Sequence, residues 1–327
     1  TDGTISNYME QADSLTSASA SRHAQRRTRT LYPEDFGAKG DGITDDTAAL
    51  EAWLASSSLS LRMGDGVYRT TRGLTSTVAG RTIQSDGGWI RCGALDADVL
   101  TLTGANTRAL VNVDGTKRAK RGIYIQAGGC DVSGSKTLRC YSETTAAGGI
   151  WAETAFGVRC VGAHVEDIYS KGDTTIGNGN GAARGIYLGG SGIVASVPSL
   201  IEGNVVREVR GEEGDAIQVL ATSPAGQVFG SMLCTVRGNT ITGFSRRAIK
   251  VQASDVAVID NECVDLGTAV TGSEHAVIYS INAHGNKGIG NRVDVRRFTY
   301  GVHVANSGTI PYAERTVVTG NDVTVGA

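Results

Sequence analysis

RGIYIQ (121–126), GGIWAE (148–153), RGIYLG (184–189), DAIQVL (215–220), RAIKVQ (247–252), HAVIYS (275–280) and YGVHVA (300–305) align without gaps. Each alternates apolar with other residues, the pattern of a strand that buries one face. The steps between their first residues range from 25 (275 to 300) to 36 (148 to 184). A second motif falls between them: EGNVV from 202, RGNTI from 237, DNECV from 260, GNRVD from 290 and GNDVT from 320. Two motifs alternating in fixed order define one coil with two different strands and loops of unequal length. A propeller needs about 40–50 residues per blade, and helical solenoids need a 3.6-residue period that is missing here. The expected fold is all-β, a right-handed single-stranded parallel β-helix with an N-terminal capping α-helix.

Within the second motif, Asn204, Asn239, Asn261, Asn291 and Asn321 are expected at bends, because Asn tolerates left-handed backbone geometry. Their amides, stacked from coil to coil, can form a ladder. Composition agrees with many tight turns between short strands: 45 Gly and only 4 Pro among 327 residues. Collagen would need a three-residue period and much Pro.

Residues 1–30 are polar and become basic towards their end, with Arg22, Arg26, Arg27 and Arg29, and read as a linker. The β-helix is expected over 31–327. A capping helix is expected over about 44–56, with Thr44 as N-cap, Asp45 and Asp46 in the first turn, and Leu50, Trp53 and Leu54 on one face. The chain opens on Thr1 without Met, as an excised piece would. It closes on GNDVTVGA in mid-pattern, as it would if a trimerisation or binding segment followed.

Lys and Arg total 31 against 33 Asp and Glu, so the charge of -2 makes no electrostatic case for nucleic acid. No apolar run approaches the ~18 residues of a membrane span, and no membrane insertion is expected. Cys92, Cys130, Cys140, Cys160, Cys234 and Cys263 lack CxxC spacing and read as reduced core residues. No metal site is expected from the five His, and GNGNGAARG lacks the Lys and Ser or Thr of a phosphate loop, so no cofactor is called for.

The segment DFGAKGDGITDDTAALEAWLA at 35–55 resembles the opening of the pectate-lyase-like superfamily, which includes phage tailspike depolymerases, polysaccharide lyases and alginate epimerases. LRMGDGVYRT stands where such proteins often carry a Leu-Pro-Ala-Gly-x-Tyr turn, keeping Gly66 and Tyr68 but not the Pro. The resemblance implies a helix capping the exposed edge of the β-helix. The polar lead-in resembles the connector of phage tailspikes. It implies a homotrimer on the virion tail, made in the host cytoplasm, joined to the tail through the N-terminal segment and acting extracellularly, with a secreted protein as the alternative. The implied partner is a bacterial capsular, exo- or lipopolysaccharide.

In the aligned strands the Ile and Val positions point inward, so the residue between them points out. That outward column reads Tyr124, Trp151, Tyr187, Gln218, Lys250, Ile278 and His303. Coils lie ~4.8 Å apart, so three successive aromatics make a stripe on which sugar rings can stack, or else a buried ladder. A turn column before each strand reads Arg121, Gly148, Arg184, Asp215, Arg247, His275 and Tyr300, with Asp173, Glu212, Glu213 and Glu274 close by.

A glycosidase needs two carboxylates roughly 5 to 9.5 Å apart, one of them protonated. Glu213 and Asp215 are the candidates, with Glu212 or Asp173 as substitutes. A uronate lyase instead needs cations on the sugar carboxylate and a base, roles open to Arg184 or Arg247 with Lys250 or His275. Glu153 lies about five residues, ~16 Å, along the strand from Asp215 and is expected to bind substrate. The leading expectation is a depolymerase of bacterial surface polysaccharide, with endo-hydrolysis favoured over elimination. The rivals are a non-catalytic glycan-binding spike, whose charged edge is a surface ion ladder, and a uronate lyase or epimerase. The Asp-Pro-His-Glu run associated with the epimerases is missing.

Overall fold

The computed structural model describes residues 29–171, 181, 182–191, 195–222, 229–264, 276–281, 283–294, 300–305 and 315–324. Its strands pair in parallel and form three sheets of 13, nine and six strands, here called I, II and III. One coil runs from Arg159–Val161 in sheet III to His164–Ser170 in sheet I and Ala182–Ser191 in sheet II. The next coil repeats this order with Ser199–Glu202, Val205–Arg210 and Glu213–Thr222, each strand paired to its counterpart one coil back. The architecture is the expected right-handed parallel β-helix.

Alternation in the motif strands is what fills the core. Ile123, Ile150, Ile186, Ile217, Ile249 and Ile278 share one register and are all buried. β-Branched side chains suit this stacking because their restricted rotamers cost little further entropy when neighbours pack above and below. The six cysteines are buried and unbridged. Burial pushes the Cys160 and Cys234 thiols up to about 12, so they behave as small apolar residues.

At the N-terminal end, helix α1 spans Thr47–Ala55 and buries Thr47, Leu50, Trp53 and Leu54. It starts later than the sequence suggests. Thr44 belongs to the strand Asp41–Asp45, where its hydroxyl donates to Asp41 Oδ2 at 2.8 Å. Asp46 precedes the helix, but its carboxylate accepts from the backbone of Lys39 (2.6 Å) and Gly40 (3.1 Å) and so ties the preceding loop to the helix start. Gly40 has φ +60°, and a Cβ there would lie 3.1 Å from the Tyr68 ring, so this turn needs glycine. The other end of α1 is closed by Arg81, a buried residue. Its guanidinium donates to the carbonyls of Leu54, Ser56 and Ser58, satisfying groups the helix leaves open.

The Asn ladder is present: Asn204, Asn239, Asn261 and Asn291 each donate Nδ2–H to Oδ1 of the next Asn, at 2.8, 2.8, 2.9 and 2.9 Å. The reason given for the bend needs correction. The left-handed residue is the one before each Asn, namely Gly203, Gly238, Asp260, Gly290 and Gly320. Asn is needed there for its amide.

Candidate functional site

Register places one column along the whole of sheet II: Thr75, Thr101, Tyr124, Trp151, Tyr187, Gln218, Lys250, Tyr279 and His303. Ile278 was expected in this column, but it pairs with Ile249 and is buried, and Tyr279 takes the position beside Lys250. The gap-free alignment slips here by one residue because Ala276, Val277 and Ile278 are all apolar and hide the alternation. His275, Glu274 and Asp173 lie outside the described residues.

At the N-terminal end of the column, Arg121 makes a two-point ion pair with Asp98 (2.6 and 3.2 Å). Its guanidinium carbon lies 3.7 Å from the centre of the Tyr124 ring, a cation–π contact. The Tyr124 hydroxyl donates to Glu153 at 2.8 Å, and Arg121 lies 3.8 Å from the same carboxylate. Glu153 is therefore held in place with its carboxylate still reaching solvent. Asp98 was missed in the sequence, although DVLTL at 98–102 has the same spacing as RGIYI.

The aromatic rings do not lie open side by side. Trp151 and Tyr187 pack on each other with centroids 4.2 Å apart, and Arg121 covers one face of Tyr124. Only part of each ring faces solvent. Burial first, then the Glu153 carboxylate, push the Tyr187 hydroxyl up to about 12, against the lowering effect of Arg184.

Three coils further on, the turn column becomes a charge cluster. Asp215 pairs with Arg184 (3.3 Å), Arg247 (3.4 Å) and Lys250 (3.8 Å). Glu213 pairs with Arg184 (3.1 Å), Lys250 (3.7 Å) and Arg246. Arg184 also donates to Gln218 and to the Glu213 carbonyl, and Gln218 donates to Gln252 at 2.8 Å. The structure thus brings together Glu213, Asp215, Lys250, Arg184 and Arg247, and adds Arg246, which sequence reasoning missed. Glu212 is exposed and stands apart from these pairs.

The cluster is not the surface ladder of the rival reading, because Asp215 is 0% exposed and Arg184, Arg247 and Lys250 are buried. Nor does it offer the carboxylate pair of a glycosidase. Asp215 is sealed from any substrate. Burial raises the Glu213 carboxyl, but Lys250, Arg184, Arg246 and Arg247 outweigh it and hold the group at about 2, so it stays ionised and cannot donate a proton near neutrality. Lys250 is pushed below its ordinary value by burial, although Asp215 and Glu213 raise it.

The Glu213 shift carries a prediction. A carboxyl whose folded value is depressed stabilises the fold above its unfolded value of about 4.5, and this contribution is lost as pH falls towards 2. Urea titrations of the protein and of Glu213→Gln should therefore give a stability difference that is full at about pH 5 and shrinks by about pH 2.5. A difference independent of pH would show that the cations do not hold this group.

No known protein-family profile matches the chain. In sequence it is 26% identical over 277 residues to "Depolymerase 1, capsule K30/K69-specific" of Klebsiella phage K5-2, covering 74% of this chain and 34% of that protein. The chain thus spans about a third of that relative's length. In structure it is similar to the surface adhesin PfbA of Streptococcus pneumoniae (TM-score 0.61, 11% identity, 91% of this chain and 96% of that one). It is also similar to ORF18 of Geobacillus virus E2 (TM-score 0.51, 14% identity, 99% and 65%). The chain is a right-handed parallel β-helix, similar in sequence to a phage capsule depolymerase.

Proposed function

We propose that the chain is the glycan-engaging β-helix of a phage tailspike-type depolymerase, which binds and cleaves a bacterial surface polysaccharide along sheet II. The observation that carries this reading is the column running from Thr75 to His303 through every coil of that sheet, in a chain similar over 277 residues to a capsule depolymerase. A polymer lying along the helix axis would meet Glu153, the aromatic edges and the charge cluster in turn. Homotrimeric assembly on the virion tail belongs to the same reading.

Within it, the cluster suits elimination better than hydrolysis. Elimination from a uronate needs cations to neutralise the sugar carboxylate and a base to take the α-proton. Lys250, 10% exposed at its side chain and pushed below its ordinary value by burial and by Arg184 and Arg247, fits the base, and Arg246, 24% exposed, fits the cation, whereas Glu213 is held ionised.

The test is incubation with capsular, exopolysaccharide and lipopolysaccharide preparations, reading new reducing ends and the absorbance of unsaturated uronates. Cleavage of at least one is expected, with Glu153→Gln and Trp151→Ala each slowing it at least about tenfold, equivalent to roughly 1.4 kcal/mol of transition-state binding. Reducing ends without the absorbance would make the enzyme a hydrolase. Binding without cleavage of any preparation would make it a glycan-binding spike.

A further inference from the structure

A different feature occupies sheet I. Tyr141, Tyr169 and Arg210 share one register on three adjacent coils, and the tyrosine rings lie with centroids 5.5 Å apart. Beside them Asp167 pairs with Lys117 (3.3 Å) and Arg210 (2.9 Å). With Cys140 these residues line a groove of about 530 Å³. That volume falls in the range of small-ligand sites, roughly 300–1,000 Å³.

The backbone under the groove is strained in a repeated way. Arg139, Asp167 and Glu208 have φ of +55°, +58° and +52°, and the strand register skips each of them, as it skips Gly243 in the following coil. A left-handed conformation costs a residue with a Cβ on the order of 1 kcal/mol or more. The fourth coil makes the same bulge with glycine (φ +66°). Three coils nevertheless carry charged residues there, and bulges re-aim side chains.

The charges are also layered. Lys117 and Arg139 side chains are 65% and 44% exposed, whereas their partners Asp167 and Asp114 are 21% and 3% exposed. Arg210, 43% exposed, likewise lies outside Asp167. A ligand entering the groove meets the Lys117 ammonium and the Arg210 guanidinium before Asp167, while Glu208, 38% exposed and 3.6 Å from Arg210, and Glu143, which accepts from the Tyr141 hydroxyl at 3.1 Å, stand at its margin. Tyrosine rings offer an apolar face and a hydroxyl, which suits the mixed surface of a sugar ring.

We infer that this groove is a second saccharide site, separate from sheet II, which takes an acidic oligosaccharide with a uronate carboxylate against Lys117 and Arg210 and a sugar ring on Tyr169. It does not rest on cleavage at sheet II, so failure of the polysaccharide panel and failure of binding here are separate results.

The test is calorimetric titration with oligogalacturonate, with malto-oligosaccharide of equal length and polyglutamate as controls. Oligogalacturonate should bind, and neither control should match it. Tyr169→Ala and Arg210→Gln should each weaken binding at least tenfold, while Tyr169→Phe keeps most of it and Arg108→Gln, an exposed cation of the same sheet outside the groove, changes it less than twofold. Tyr169 is an exposed side chain, so its replacement leaves the core intact, which unchanged circular dichroism verifies. No binding of oligogalacturonate, equal binding of either control, or indifference to Tyr169→Ala overturns the inference.

Discussion

Asp215→Ala is expected to lower the unfolding free energy by about 3–5 kcal/mol, read as a lower midpoint in urea at neutral pH. The size follows from burial, since Asp215 is fully covered and lies within 3.3–3.8 Å of Arg184, Arg247 and Lys250. Water cannot replace the carboxylate, so its loss leaves buried cations facing one another. Asp215→Asn should recover little, because it restores volume and one acceptor but not the charge. Adding Arg247→Leu to Asp215→Ala should recover part of the loss, because it removes a buried cation together with its partner. A loss below about 1 kcal/mol for Asp215→Ala would mean the cations are balanced elsewhere, and Asp215 would then not be the centre of the cluster.

Much of this architecture is legible because a parallel coil repeats its environment. An inward position on one coil stacks on the same position of the next, so Ile recurs from Ile123 to Ile249 and the alternation can be read directly. The Arg184–Asp215–Arg247 order across coils follows from the same repeat. What could not be read is anything that depends on depth or on a broken register. The charged turn column looks like a surface edge in the sequence, and only packing shows that Asp215 is sealed.

The groove on sheet I was hidden for a related reason. Two of its bulges use Arg139 and Glu208, residue types that carry no turn signal, whereas Asp167 and Gly243 do. A further signal was the repeated Tyr-Ser at 141–142 and 169–170, which pairs in register. At 275–280, three consecutive apolar residues removed the alternation on which the alignment relied.

Asn239→Ala should cost about 4 kcal/mol, a large effect for a small polar truncation. Asn239 Oδ1 accepts both the backbone N–H (3.0 Å) and the side-chain Nδ2–H (2.8 Å) of Asn204, one coil back. Its own amide donates to Ile201 O (3.2 Å) and to Asn261 Oδ1 (2.8 Å). Alanine orphans two buried donors on Asn204, each worth roughly 1–3 kcal/mol when left unsatisfied. The damage therefore belongs to the neighbouring coil, and hydrogen exchange at the Asn204 amide should quicken. Asn239→Asp tests the donor half separately: it keeps an acceptor for Asn204 but sets a carboxylate against the Ile201 carbonyl and Asn261 Oδ1, and should also destabilise. Asn321→Ala should cost clearly less, since Asn321 is only partly buried and water can reach the groups it leaves. Equal losses at Asn239 and Asn321, or unchanged exchange at Asn204, would show that the ladder decorates the bend and does not hold the coils together.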